Sequence, residues 1–307
     1  MILQPHLYNE SNCLMQIEQC VLQTCIAQPA PEWIAEQLYQ LIPAWRLHYQ
    51  RHYIYSMPIQ AFIQAIQMLN LPLQFQWSDI STVIVEQFNQ QLKLLYLPFK
   101  DLGQRQHASN ERQNRLSLQQ GLTELTQHYS RLLFVRVDLY FSAEAQVDLT
   151  IHRCHQYLQI LLNRLSNRDG CFQDLHWWAW ALEQGAQRGY HIHLLLVYDG
   201  HKHQQDEYLA LQVGHYWKDD LTGGEGEFYT ANQAAVKAHY RAMGCLGIGM
   251  IHRDHPVEVA NAVAAAAYLV NPEKQQQMLR AKLPNMRSFG TAQFRVGWRR
   301  GIAPISA

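Results

Sequence analysis

The run Glu183-Gln-Gly185-Ala-Gln-Arg188-Gly189-Tyr-His191-Ile-His193-Leu-Leu-Leu-Val197 decides how this chain is read. From Tyr190 onward it is apolar and strand-like. Side chains alternate between the faces of a strand, so His191 and His193 point the same way. Gly185 and Gly189 bracket a hairpin loop of about five residues. If Glu183 stands opposite His191, a carboxylate and two imidazoles converge on one side of one sheet, a donor set suited to a divalent metal. The chain has 16 histidines, so chance pairs occur, and His201-Lys-His203 is one. That second pair follows the turn signal Asp199-Gly200 and reads as a solvated loop.

Working outward, Phe134-Val-Arg136-Val-Asp138-Leu-Tyr-Phe141 alternates cleanly. Val135, Val137, Leu139 and Phe141 share one face, and Arg136 and Asp138 share the other. Gln146 to Asn167 reads as a helix with Ile151, Cys154, Leu158, Leu161 and Leu165 inward, ended by Asp169-Gly170. His176 to Leu182 is an aromatic strand, and we place at least Trp178 in the core. A helix follows near Asp206 to Trp217, then a Gly-rich loop and a short strand at Met250. Pro256 opens an Ala-rich helix that Pro272 stops after Asn271. This order predicts an α+β domain: a ferredoxin-like or RRM-like antiparallel sheet with helices on one face, its other face open for the histidines, Arg136 and Asp138.

Residues 1–120 read differently. Pro31 and Pro58 open helices with regular apolar stripes, so this part is mainly helical. Residues 100–120 are polar and read as a linker or an exposed helix. The expected division is therefore a helical region over 1–120 and a second domain over 130–300.

Composition narrows the function classes. Hydrophobic residues make up 48% of the 307 residues, enough for a sizeable core. Lys plus Arg and Asp plus Glu are both 25, so any nucleic-acid surface must be local. Such a surface is expected after Glu273, where Arg280, Lys282, Arg287, Arg295, Arg299 and Arg300 occur without an acid. The six cysteines lack metal or disulfide spacing. No basic-then-apolar leader and no membrane-length apolar run is seen, so we expect reduced thiols and a cytoplasmic protein with no membrane partner.

A metal site needs a reaction. On the Ala-rich helix, Asn261, Ala264, Tyr268 and Asn271 share one stripe at about 100° per residue. A phenol is a weak nucleophile near neutral pH, with a pKa of about 10. A metal-polarised phosphodiester compensates for that weakness.

Taken together, Arg136-Val-Asp138-Leu, Glu183 with His191-Ile-His193-Leu, Ala267-Tyr268-Leu and Arg287-Ser-Phe-Gly290 resemble the inovirus replication-protein family of YagK/YfjJ C-terminal type. That family stands with the HUH endonucleases, which initiate rolling-circle replication. The resemblance covers about residues 130 to 300. It implies that His191 and His193 are paired ligands of Mg²⁺ or Mn²⁺, with Glu183 as third ligand or near neighbour. It implies that Tyr268 attacks single-stranded DNA at a replication origin, leaving a 5′-phosphotyrosine and a free 3′-hydroxyl. A host helicase or polymerase would be the further partner. Arg136, Asp138, Arg287, Arg295, Arg299 and Arg300 are then candidates for DNA contact. Such proteins often carry a lysine three residues after the tyrosine. Here that position is Asn271, and Lys274 is the candidate helper. Two rivals remain: a non-catalytic single-stranded nucleic-acid binder on the same fold, and a cupin-like metalloenzyme, which the helical segments disfavour.

Overall fold

The computed structural model describes residues 9–72, 74–270 and 277–294. The chain opens with helices α1 (Glu10–Leu22) and α2 (Pro31–His48), a two-residue strand β1 (Ile54–Tyr55), and helices α3 (Met57–Met68), α4 (Thr82–Tyr96) and α5 (Lys100–His128). The α+β part follows: β2 (Arg131–Phe141), α6 (Ile151–Asn167), β3 (Leu175–Gly185), β4 (Gly189–Asp199), α7 (Asp206–His215), β5 (Gly226–Thr230), α8 (Ala234–Ala242), β6 (Gly249–His252), α9 (Pro256–Ala267), β7 (Ala281–Lys282) and β8 (Phe289–Thr291). No helix among the described residues is long and apolar enough to cross a membrane.

The main sheet is antiparallel throughout, in the order β5-β2-β4-β3-β8, with β6 sharing the outer edge of β2 with β5. β5 pairs with residues 137–141 of β2, and β6 with residues 131–134. The gap between them is closed by a side chain. Asn232 Oδ1 accepts from the Arg136 N–H at 2.7 Å, and Asn232 Nδ2 donates to the Phe134 carbonyl at 3.0 Å. An amide side chain thus does for β2 what a neighbouring strand would do. Each end of α6 has a residue-level cause: the Thr150 side chain caps Arg153 N, and Arg168 closes the helix in the left-handed region at φ 56°.

The sheet is covered on both faces, which corrects the expectation of one open face. Leu133, Val135, Val137, Leu139, Tyr190, Ile192 and Leu194 form one core with α6, α7 and the N-terminal helices. On the opposite face, Leu132, Phe134, Trp177, Ala179, Leu195 and Val197 are buried under Leu118, Leu122 and Leu125 of α5 and under Ala262 and Ala266 of α9. The physical reason is a division along each strand. One end of this face is apolar and must be shielded from water, whereas the other end carries Arg136, Asp138, Glu183 and the two histidines.

The stretch read as a linker or exposed helix lies in a continuous 29-residue helix, α5. Its leucines at i, i+4 and i+7 dock it on the sheet, so α5 belongs with the strands that follow it. The tryptophans also differ from expectation: Trp177 and Trp180 are buried, while Trp178 is only partly covered. β5 and α8 were not anticipated from the sequence. The N-terminal helices are seated on the α+β part by buried polar contacts. Glu10 accepts from Ile151 N at 2.7 Å and Tyr190 Oη at 2.9 Å, and Gln184 Nε2 donates to the Ser11 carbonyl at 3.0 Å.

Candidate metal centre and nucleophile

The hairpin joining β3 to β4 builds the site. Its loop is shorter than expected, only Ala186-Gln187-Arg188, with Gly185 paired to Gly189. Gly189 sits at φ 56°, the left-handed conformation that closes a three-residue hairpin. This register puts Glu183 opposite His191 and Ala181 opposite His193, and β2 brings Asp138 opposite His193. The four polar residues are all less than a tenth exposed.

The ring orientations are set from behind. Gly189 O can only accept, so His191 Nδ1 carries the proton it donates to that carbonyl at 3.0 Å. His193 Nδ1–H donates to Asp138 Oδ1 at 2.6 Å. Both Nε2 atoms are thereby turned toward Glu183, at 3.7 Å from Oε2 for His191 and 3.3 Å for His193. The three prospective ligand atoms lie within 4.8 Å of one another. Histidines that bind metals are commonly anchored through the other ring nitrogen in this way. Two nitrogens and one carboxylate oxygen fit a first-row divalent cation.

Electrostatics follow from the same contacts. Burial alone pushes the His193 pKa down. The hydrogen bonds to Asp138 and Glu183, with their charges, outweigh burial and leave it raised. Burial opposes ionisation of Asp138. The His193 hydrogen bond and the charges of His193, Arg136 and Arg188 nevertheless hold its carboxyl well below the usual carboxylate range.

A cleft of about 480 Å³ opens in front of the two imidazoles, and Arg136, Asp138, Arg188, Tyr268 and Gln277 are among its walls. Tyr268 is 52% exposed and follows directly after α9, in a short 3₁₀ turn. The Arg136 guanidinium lies 5.2 Å from the centre of its ring. Met15 of α1 also reaches the cleft. Glu183 faces a smaller adjoining cavity of about 70 Å³ with His107, Glu111, Lys282 and Ser288, and Gln277 lines both spaces.

The structure thus brings together Glu183, His191, His193, Tyr268 and Arg136, as the sequence pattern requires. Asp138 is placed differently from the DNA-contact expectation. Its carboxylate is buried and spent on His193, Arg136 and Arg188, and a carboxylate would in any case repel phosphate. Arg287 is exposed, but Arg280 is buried in an ion pair with Glu18 at 2.6 Å, and Lys282 lines the inner cavity. Lys274, Asn271, Arg295, Arg299 and Arg300 lie outside the described residues. Arg188 was missed from sequence. Its side chain bonds Asp138 at 3.3 Å and sits 4.7 Å from the Tyr140 ring centre. Its place in the hairpin loop, between the two glycines that precede the histidine pair, was the available signal.

Comparison with known families finds a match to the YagK/YfjJ C-terminal domain over residues 100–291. No curated protein and no solved structure matches significantly. The matched segment begins at the start of α5, which agrees with the packing of that helix on the sheet.

Proposed function

The chain belongs to the YagK/YfjJ C-terminal domain family, and on that premise we propose that it is a metal-dependent nickase of single-stranded DNA, of HUH type, that initiates rolling-circle replication of a phage or integrated element. One observation carries the reading: paired imidazoles whose Nε2 atoms share a carboxylate open onto the same cleft as an exposed phenol. The central strand order supports it, because β2, β3 and β4 with the crossover helix α6 form a split βαβ unit with β4 inserted between β2 and β3.

His191, His193 and Glu183 would hold Mg²⁺ or Mn²⁺, which when bound supplies Lewis acidity to a phosphodiester oxygen. The chain's own residues do the remainder. Asp138 and the Gly189 carbonyl fix the imidazoles, so little reorganisation is needed at the moment of reaction. Arg136 and Arg188 line the cleft with guanidinium donors, shared with Asp138, that suit a phosphate backbone. Tyr268 Oη attacks phosphorus. The O–P bond forms as the bond to the 3′ oxygen breaks, the phenolic proton passes to solvent, and the departing oxygen takes one up. A phosphotyrosine diester conserves the bond energy, so the free 3′-hydroxyl can reverse the step and rejoin the strand.

The test is incubation with single-stranded origin DNA and Mn²⁺, followed by a denaturing gel. A protein–DNA band is expected from the wild type and none from Tyr268→Phe, which should keep its DNA affinity. DNA binding with no covalent band across origins of the host element, from folded and metal-loaded protein, would leave the chain a non-catalytic binder and sink the proposal.

A further inference from the structure

A second constellation of metal-ligating side chains lies away from the cleft, where β6 turns into α9. His252 ends the strand, His255 caps the helix, Pro256 occupies its first position and Glu258 its third. The spacing is His-x-x-His-x-x-Glu. His252 Nδ1 lies 3.1 Å from Glu258 Oε2, and His255 Nδ1 lies 2.9 Å from Glu258 Oε1. The ring centres are 5.1 Å apart, and one ligand atom from each residue falls within 4.8 Å of the other two.

The backbone holds this arrangement in place. The His252 N–H donates to Glu258 Oε2 at 2.9 Å, His255 N–H donates to the His252 carbonyl at 3.0 Å, and Arg253 N–H donates to the Ser130 carbonyl at 2.9 Å. A carboxylate at the third helical position often accepts from the preceding backbone, and that role needs one oxygen. It does not require an imidazole nitrogen on each oxygen. All three side chains are open to solvent, so a cation reaches them without unfolding the turn.

We propose that His252, His255 and Glu258 form a second metal site, selective for late first-row cations such as Zn²⁺, that fixes the start of the helix leading to Tyr268. Imidazole nitrogens with one carboxylate suit this class of cation better than Mg²⁺. Without metal, each Nδ1 carries the proton shared with Glu258. On binding, the proton on each Nδ1 moves to Nε2 or to solvent, and the Nδ1 lone pairs face the cation. Three protein donors leave further positions to water. His252 pairs with Arg131 while His193 pairs with Asp138, so the two sites are separated by seven residues of β2, roughly 23 Å. The site stands or falls independently of the nickase reading.

The experiment is a Co²⁺ titration of the full chain followed by visible absorption, with Zn²⁺ displacement. His191→Ala/His193→Ala protein silences the first site and should still bind one Co²⁺ per chain. Adding His252→Ala and His255→Ala should abolish that binding while the circular dichroism stays native. As an independent reading, the otherwise wild-type chain should bind two Co²⁺, and the exposed single change His255→Ala should reduce this to one. Unchanged stoichiometry and affinity in His255→Ala, or no Co²⁺ bound by folded His191→Ala/His193→Ala protein, would overturn the second site.

Discussion

Asp138 provides the sharpest test of the metal centre. Its Oδ1 accepts from His193 Nδ1 at 2.6 Å in a setting only 8% exposed. The bond is charge-assisted and holds the ring so that Nε2 faces Glu183. Removing an outer partner of this kind lowers metal affinity by roughly 10–100-fold, equivalent to about 1.4–2.8 kcal/mol. Asp138→Ala should therefore weaken Mn²⁺ binding by that factor in isothermal titration. Asp138→Asn keeps an acceptor oxygen without the charge and should fall between the variant and the wild type. Both variants deprive Arg136 and Arg188 of their counter-charge and only alanine also leaves a cavity, so the Asn variant is the control for packing. Unchanged Mn²⁺ affinity in folded Asp138→Ala, with loss only of DNA affinity, would refute the anchoring role and restore Asp138 as a nucleic-acid contact.

Other consequences can be checked independently. Burial pushes the Glu10 carboxyl up to about 7 from its ordinary 4.5, against hydrogen bonds from Ile151 N and Tyr190 Oη. The folded state then holds the proton more tightly than the unfolded chain. The stabilisation is complete below about pH 4.5 and is lost as pH rises through about 7, amounting to roughly 3 kcal/mol. Both donors use Oε1, so Glu10→Gln should retain them, flatten the pH dependence seen in urea denaturation and be more stable than wild type above about pH 7. A Cβ at Gly247 would lie 2.1 Å from the Asn261 carbonyl oxygen, a clash with backbone that no rotamer change can relieve. Gly247→Ala should cost roughly 1–3 kcal/mol or more, read as a lowered Tm. The mixed donor set of His191, His193 and Glu183 should take up Mn²⁺ at lower concentration than Mg²⁺, measurable by thermal shift against each ion.

The hairpin register was legible in the sequence because glycines on either side of a short polar loop leave few ways to pair Glu183 with His191. The alternation of β2 was legible for a similar reason, since period-two burial is a local property. The sequence put Tyr268 on the Ala-rich helix, whereas that helix ends at Ala267 and Tyr268 opens the 3₁₀ turn after it, and its distance from the histidines was not legible. That depends on α9 packing through Ala262 and Ala266 against β2-to-β4 side chains distant in the chain. The polar stretch over 100–120 lacked an apolar signature because the anchoring leucines of α5 begin at Leu118, near its end.

By itself, then, the amino-acid order determined the three long strands β2, β3 and β4, the shared face of Glu183 and the two histidines, and the direction of their side chains, all consequences of backbone geometry over a few residues. Only the tertiary structure decided that Asp138 anchors an imidazole, that Arg280 is consumed by Glu18, and that the phenol and the imidazoles share one cleft. Charged groups find partners by proximity in space, and the partners here come from elements up to 262 positions apart in the chain.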